Sequence, residues 1–365
     1  MRFALLCSAA ALLFAAPSVS AQQPAQLAVE EGKPYTHAQT GLILPLTLQG
    51  LPRSRSVEYA AGGWDVSIQY SPPDFGTVIS VYIYQAGVQD VALLTAEARK
   101  PLEHRVDYYG TVKPVTAVAS FAPPGDTVAS GLRIAYDTNG EFKSTALAIA
   151  PLGPDWIVKF RLSSKTLSGV QLEGLLSKAI GGLNWPKAAT PHPVAAEMVD
   201  CAKPFPAIQP AKAAKADVSS GLLGALMGMV PDTSFAKDAS GKDIPIRYCR
   251  SSTANSPMGI YHPDNASDRY VISLGDSGRI IFVHPDSVAG LSDAIAAEKA
   301  GKKKKKVAGT PYTVRFVVPG TAFTYPGFQS MPTPAQALGA VQSGGAISSA
   351  QRGGNVVTVN SGKPK

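Results

Sequence analysis

The residue patterns best suited to chemistry lie in the C-terminal half of the chain. Gly275-Asp276-Ser277-Gly278 frames a serine between glycines. A hydroxyl on such a turn becomes a nucleophile when backbone N–H groups hold the oxyanion and a histidine and carboxylate take its proton. The same four polar residues join two apolar runs, 269–274 and 279–284, and so also suit a β-hairpin turn, which is the preferred reading. Asp264, Asn265 and Asp268 offer oxygens to calcium, and His262 a nitrogen to a metal. An EF-hand loop would need alternating acids, a central Gly and a terminal Glu, none of which is in register. A polar hairpin loop is expected there instead; Asn265-Ala266-Ser267 also fits an N-glycosylation acceptor.

Of the three cysteines, Cys7 falls inside an apolar leader, which leaves Cys201 and Cys249. In an oxidising compartment an even pair is most simply a disulfide, and closing that loop restricts the unfolded chain by about 4 kcal/mol. A metal or redox pair is the alternative, but neither a CxxC nor a clustered His accompanies them. Lys302, Lys303, Lys304, Lys305 and Lys306 form one run. They could hold an anionic surface, at about 1 kcal/mol per lysine, or could be a solvated loop. Tyr59, Tyr70, Tyr82, Tyr84, Tyr108 and Tyr109 could line a groove, although on strands such residues usually pack a sheet. No catalytic, cofactor-binding or metal-ligating residue is assigned from these patterns, and no cofactor is expected.

The elements that must carry these residues begin after a leader. Arg2, the apolar run 3–16 and the small-residue site Val19-Ser20-Ala21 have the order of a secretory signal peptide, cleaved near Ala21. No later segment has the roughly 20 apolar residues of a membrane span, so a periplasmic or secreted chain without a transmembrane span is expected. The formal charge of +8 is uneven: 41–187 hold 13 basic against 12 acidic residues, and 188–365 hold 19 against 12. Five of that excess are the lysine run, so nucleic acid is not an expected partner.

Residues 22–40 read as a flexible tether. From 57 to 84 come two or three antiparallel strands, and 65–70 alternates strictly, as a strand with one wet face does. A helix over 91–109, broken by Pro101, precedes strand-like runs at 112–121, 131–137, 142–150 and 156–162, with Asn139-Gly140 as the clearest hairpin signal. A second helix over 168–181 ends the unit at Trp185-Pro186. The predicted fold class is therefore α+β, an antiparallel sheet with packed helices over 41–187. A Pro/Ala/Lys linker with a short apolar helix follows over 188–240. A smaller α+β domain over 241–320, with a helix at 286–300, and a disordered tail over 321–365 complete the chain.

Two resemblances bear on function. Gly275–Gly278 resembles the nucleophile loop of chymotrypsin-like serine proteases, but Arg279 stands where a Gly would follow. None of His37, His104, His192, His262 and His284 has the Ala-His-Cys context of that family. The strand and helix order of 41–187, with its GLRIAYDT and DWIVKFRLSS strands and closing GVQLEGLLSKAIGGLNW helix, resembles the PsbP-like fold of photosystem accessory proteins and LpqN-type exported lipoproteins. That resemblance implies a binding or assembly-factor module without supplying its ligand. The expectation is thus a non-enzymatic accessory of the cell envelope whose partner is an envelope protein or an anionic surface. A hydrolase of unrecognised type using a His-Asp or Ser-containing cleft is the alternative, to be sought first at His104 and His284; anionic membrane binding through Lys302–Lys306 is the second.

Overall fold

Runs rich in β-branched and aromatic residues, separated by Gly, Pro and Asn-Gly turns, form strands along most of this chain. A computed structural model describes residues 23–187, 192–203, 206, 208–214, 235–237, 243–251, 258–286, 310–354 and 356–360. The first part contains β1 (Ala25–Gln26), β2 (Tyr35–Thr36), β3 (Ile43–Leu44), β4 (Thr47–Leu48), β5 (Leu51–Ala60), β6 (Asp65–Tyr70) and β7 (Thr77–Gln85). Next come α1 (Val91–His104), the single turn α2 (Val106–Tyr109), β8 (Val112–Pro114), β9 (Ala119–Phe121), β10 (Gly131–Thr138), β11 (Ser144–Pro151), β12 (Trp156–Ser164) and α3 (Gly169–Gly181). A small ribbon, β13 (Phe235–Lys237) and β14 (Asp243–Pro245), leads to β15 (Tyr248–Arg250), β16 (Gly259–Pro263), β17 (Tyr270–Ser273) and β18 (Ile280–Pro285). The chain then forms β19 (Tyr312–Val318), β20 (Thr321–Phe328), α4 (Pro334–Gln342), β21 (Ser348–Gln351) and β22 (Val357–Val359).

Two large antiparallel sheets result, beside the two-stranded ribbons β2–β3 and β13–β14. The first runs β1-β5-β6-β7-β12-β11-β10-β8, with β4 on β5 and β9 on β10; the second is a meander, β15 to β22 in chain order. Alternation sends Val66, Ile68 and Tyr70 of β6 to one face of the first sheet, into a core shared with Leu172, Leu176 and Ala179 of α3. The opposite face carries α1 and the second sheet: Tyr84, Ile134 and Ile149 share a core with Leu94 and Ala98 of α1 and with Tyr261, Ile280 and Phe282. The far face of the second sheet is closed by α4, where Ile281, Val314 and Tyr325 cluster with Ala337.

The α+β expectation is corrected by this arrangement. Strand makes up 40% of the described residues against 14% helix, so these are mostly antiparallel β-sheet rather than a helix-packed fold. The helix periods of α1 and α3 are as expected, but one sheet is the main cover of the other. The supposed wet face of β6 is covered for the same reason, and Asp65 and Ser67 are buried.

Three expectations about order also change. The tether contributes β1, which pairs with β5, and buries Leu27 and His37. The described parts of the linker are pinned: Ala195 N donates to Ala129 O at 2.9 Å, and Ala214 N to Gly327 O at 2.8 Å. The supposed disordered tail supplies β20, α4, β21 and β22. Its helix starts from a capping box in which Thr333 accepts from Gln336 N and Gln336 turns back to the Thr333 N–H, with Pro334 at the first position. The leader 1–21, the apolar segment 219–230, the body of the helix expected at 286–300 and Lys302–Lys306 lie outside the described residues. Among the described residues no helix is long and apolar enough to cross a membrane.

Candidate functional site

Period-two geometry gathers ionisable residues on the covered face of the first sheet. Lys159 lies opposite Tyr82 in the β12–β7 ladder, and Asp65 opposite Tyr84 in the β6–β7 ladder. Arg161, two residues beyond Lys159, shares its face. The β17–β18 hairpin sets its tip on this group. Lys159 Nζ donates to both the main-chain O and the Oδ2 of Asp276 at 2.9 Å, and Arg161 Nη2 reaches the same Oδ2 at 3.3 Å. Arg161 also donates to Ala98 O of α1 at 2.9 Å, and the Lys159 ammonium sits 4.7 Å from the centre of the Tyr82 ring. Beside them Gly87 N donates to Gly278 O at 2.8 Å.

The electrostatics follow from burial. It pulls the Lys159 ammonium below its ordinary pKa, and Asp276 opposes that pull only in part. For Asp276 burial works upward, but Lys159 and Arg161 outweigh it and hold the carboxyl below its ordinary range. Asp65 is pushed up to about 7 by burial, against the pull of Lys159 and Arg279. A buried lysine beside tyrosines and carboxylates is a composition that active sites share. Here, however, Lys159 and Arg161 are both tied to Asp276 and so join two sheets, while the buried Tyr84 hydroxyl and Arg161 Nε have no hydrogen-bond partner among the described residues. Asp276 is the residue of Gly275–Gly278 whose side chain ties the two sheets together. The loop itself is the hairpin turn expected, closed by Leu274 N donating to Arg279 O at 2.9 Å.

A second junction lies alongside. Glu97 of α1 is buried and takes Lys100 Nζ at 2.6 Å and the Tyr261 hydroxyl of β16 on the same oxygen. Asp90 caps α1 through Leu93 N at 2.9 Å and accepts Tyr248 N of β15 at 3.3 Å. Neither glutamate nor aspartate stood out in the sequence, because both fall within an ordinary amphipathic helix and its cap.

His104 Nδ1 meets Lys100 O at 2.7 Å and His284 Nδ1 meets Pro285 O at 3.0 Å, so both first candidates for a general base face main-chain carbonyls. His37 is buried, with Nε2 donating to Gly63 O at 2.9 Å, which leaves Nδ1 to accept the Thr40 hydroxyl at 2.8 Å. Its ring meets Trp156 edge-on at 4.9 Å, and Trp156 stacks on Trp64.

Two of the cavities that the described residues form bear on function. One of about 310 Å³ lies where the sheets meet, between the β5–β6 turn and the ends of β20, β21 and β22; Trp64, Gly320, Thr321, Ser349, Gln351 and Thr358 are among its walls. The other, of about 210 Å³, is lined by Trp156, Trp185 and several prolines together with Thr40, Asp126 and His192. This second cavity does bring a hydroxyl, an acid and an imidazole to one place. Thr40 is nevertheless engaged by His37, and Asp126 accepts Val128 N at 3.0 Å and the Ser130 hydroxyl at 3.4 Å. Burial lowers the His192 pKa, and Asp126 partly restores it.

Cys201 and Cys249 are joined as a disulfide. Of the tyrosines, Tyr70, Tyr84 and Tyr109 are buried in the sheets and Tyr108 is exposed on α2. The remaining sequence-based site, Lys302–Lys306, is outside the described residues. No protein-family model, curated protein or solved structure matches the chain.

Proposed function

We propose that this chain is an exported accessory of the cell envelope that binds a partner without transforming it. The observation that carries the reading is the chemistry of the larger cavity. All of the described residues that line it are neutral, with hydroxyl, amide, indole and aliphatic groups but no ionisable side chain. Such a surface can recognise a partner by shape and neutral hydrogen bonds, and it lacks the side-chain acid and base that proton transfer requires. At the sheet junction Lys159 and Arg161 are held by Asp276 instead. The PsbP-like resemblance of 41–187 points the same way.

The test uses the chain from Gln22 as bait on a periplasmic extract, with captured molecules identified by mass spectrometry. Capture is expected to fall when Thr321→Arg and Ser349→Arg fill the cavity while the melting temperature stays within a few degrees. Undiminished capture by that variant would remove the cavity from the reading. A hydrolase is the second reading, favoured by the meeting of Thr40, Asp126 and His192 at the smaller cavity. Ester, peptide or glycoside hydrolysis that disappears in His192→Gln would put it first.

A further inference from the structure

The disulfide end of the second sheet holds a side-chain group that the binding reading does not use. Cys249 on β15 is the direct cross-strand partner of His262 on β16, so the two share a face. Cys249 Sγ lies 3.8 Å from His262 Nδ1, and one ligand atom from each of Cys201, Cys249 and His262 fits within 4.8 Å. Cys249 and His262 are buried, while Cys201 is half-buried and opens the group to solvent. Thirteen residues separate Cys249 from His262, so the sequence showed no ligand cluster, and pairing in the ladder creates one.

Main-chain bonds hold this group as well as the disulfide does. Cys201 N donates to Arg250 O at 3.0 Å and Arg250 N to Val199 O at 2.9 Å, so residues 199–201 lie beside β15 as a short parallel bridge. Arg250 Nε adds an ion pair to Asp200 Oδ1 at 2.7 Å. These main-chain bonds do not involve the sulfurs, and they set Cys201 and Cys249 at the same end of the sheet as the imidazole.

We infer that the reduced protein binds a borderline-soft metal ion here, zinc(II) foremost, through the thiolates of Cys201 and Cys249 and Nδ1 of His262. The disulfide is the closed state of this site. Zinc favours a tetrahedral mixture of sulfur and nitrogen, with Zn–S about 2.3 Å and Zn–N about 2.0–2.1 Å. Those lengths set neighbouring S and N ligands roughly 3.5 Å apart, close to the separation found between Cys249 and His262. Three protein ligands leave a fourth position for water. Opening needs a dithiol reductant: its two thiols are oxidised to a disulfide, and their two electrons and two protons convert Cys201 and Cys249 to thiols. In the disulfide form His262 Nδ1 donates to Pro263 O at 3.1 Å. Metal binding then releases the two thiol protons to solvent, displaces that hydrogen bond and requires the His262 tautomer with hydrogen on Nε2.

Cobalt(II) serves as the spectroscopic probe. The untagged chain from Gln22 is reduced with a dithiol, desalted without oxygen and titrated with cobalt(II). One equivalent is expected to bind with thiolate-to-cobalt charge-transfer absorption and tetrahedral ligand-field bands, which one equivalent of zinc(II) bleaches. The oxidised chain should show neither feature. His262→Gln is expected to weaken binding at least tenfold, and Cys201→Ser to remove most of the charge-transfer band. The inference is overturned if the reduced chain fails to bind cobalt, or if His262→Gln binds as tightly as the natural chain. It is equally overturned if far-UV circular dichroism shows that reduction alone unfolds the second sheet, since the ligands would then not be held in place. None of these outcomes bears on the larger cavity.

Discussion

Lys159 is nine-tenths or more enclosed yet keeps its charge partners, and that pairing decides what its neighbours can be replaced by. A buried ammonium is tolerated only when it is paired and hydrogen-bonded. Asp276→Ala would leave Lys159 without its carboxylate. The expected loss is about 2–3 kcal/mol, below the full cost of orphaning a buried charge because the Asp276 side chain is 26% exposed. Urea titration followed by tryptophan fluorescence measures it, and a loss under about 0.5 kcal/mol would show that the junction does not depend on this pair. Asp65 gives a prediction of opposite character. Its folded pKa of about 7 lies above its ordinary value of 3.8. Between those values the folded state binds more protons than the unfolded state, so this group's contribution to stability declines as pH rises through the window. Asp65→Asn cannot ionise. The variant should therefore gain on the natural chain as pH rises from 4 to 7, and the difference should level off above 7; equal urea midpoints for the two chains at pH 5 and pH 8 would contradict this. The string containing Asp276 was conspicuous in the sequence, but its partner lies 117 residues away in Lys159, and nothing local identifies that partner.

The elements show why local signals read so well and where they stop. The β17–β18 hairpin and the one at Asn139-Gly140 were legible because turn residues act through their own backbone. At the crossing of the sheets Gly278 has φ +70° and faces Gly87; a Cβ added to Gly278 would come within 2.9 Å of Ala86 Cα. Gly278→Val combines a backbone conformation that a β-branched residue resists with a clash against main chain. It is expected to lower the melting temperature by several degrees, whereas Gly275→Ala, which has φ +86° but open space around it, should lower it less. Equal melting temperatures for the two would mean that close approach of the sheets is not what Gly278 serves. The capping box of α4 was equally local and could have been read from Thr333-Pro334-Ala335-Gln336; the surrounding Gly, Ser and Gln composition obscured it. Thr333→Ala should cost about 1 kcal/mol by urea titration. Gln336 also braces the linker, donating to Ala211 O at 2.8 Å, so a negligible cost would mean that this brace holds the helix without its cap.

At the scale of the whole molecule the two sheets share one core, in which Tyr84 and Ile149 of the first meet Ile280 and Phe282 of the second. Neither sheet can open without exposing that core, so a single unfolding transition is expected, with far-UV circular dichroism and tryptophan fluorescence coincident. The probes report different bodies, since Trp64, Trp156 and Trp185 all belong to the first sheet region; separated midpoints would show that the sheets are independent. Sequence by itself determined most strands, the helix periods of α1 and α3, and which cysteines could pair, because each depends on neighbours a few residues away or on simple counting. It left open what covers the second face of each strand. An alternation of apolar and polar residues records that a face is buried or wet, and Asp65, Ser67 and Lys159 look wet by that rule. Only the tertiary structure decided that another sheet, with its own charged hairpin tip, lies over them, because the compensating charges and hydrogen bonds come from residues more than a hundred positions away. The same reason put Cys249 and His262 side by side: register across a ladder is a property of two strands together, and neither strand carries it alone.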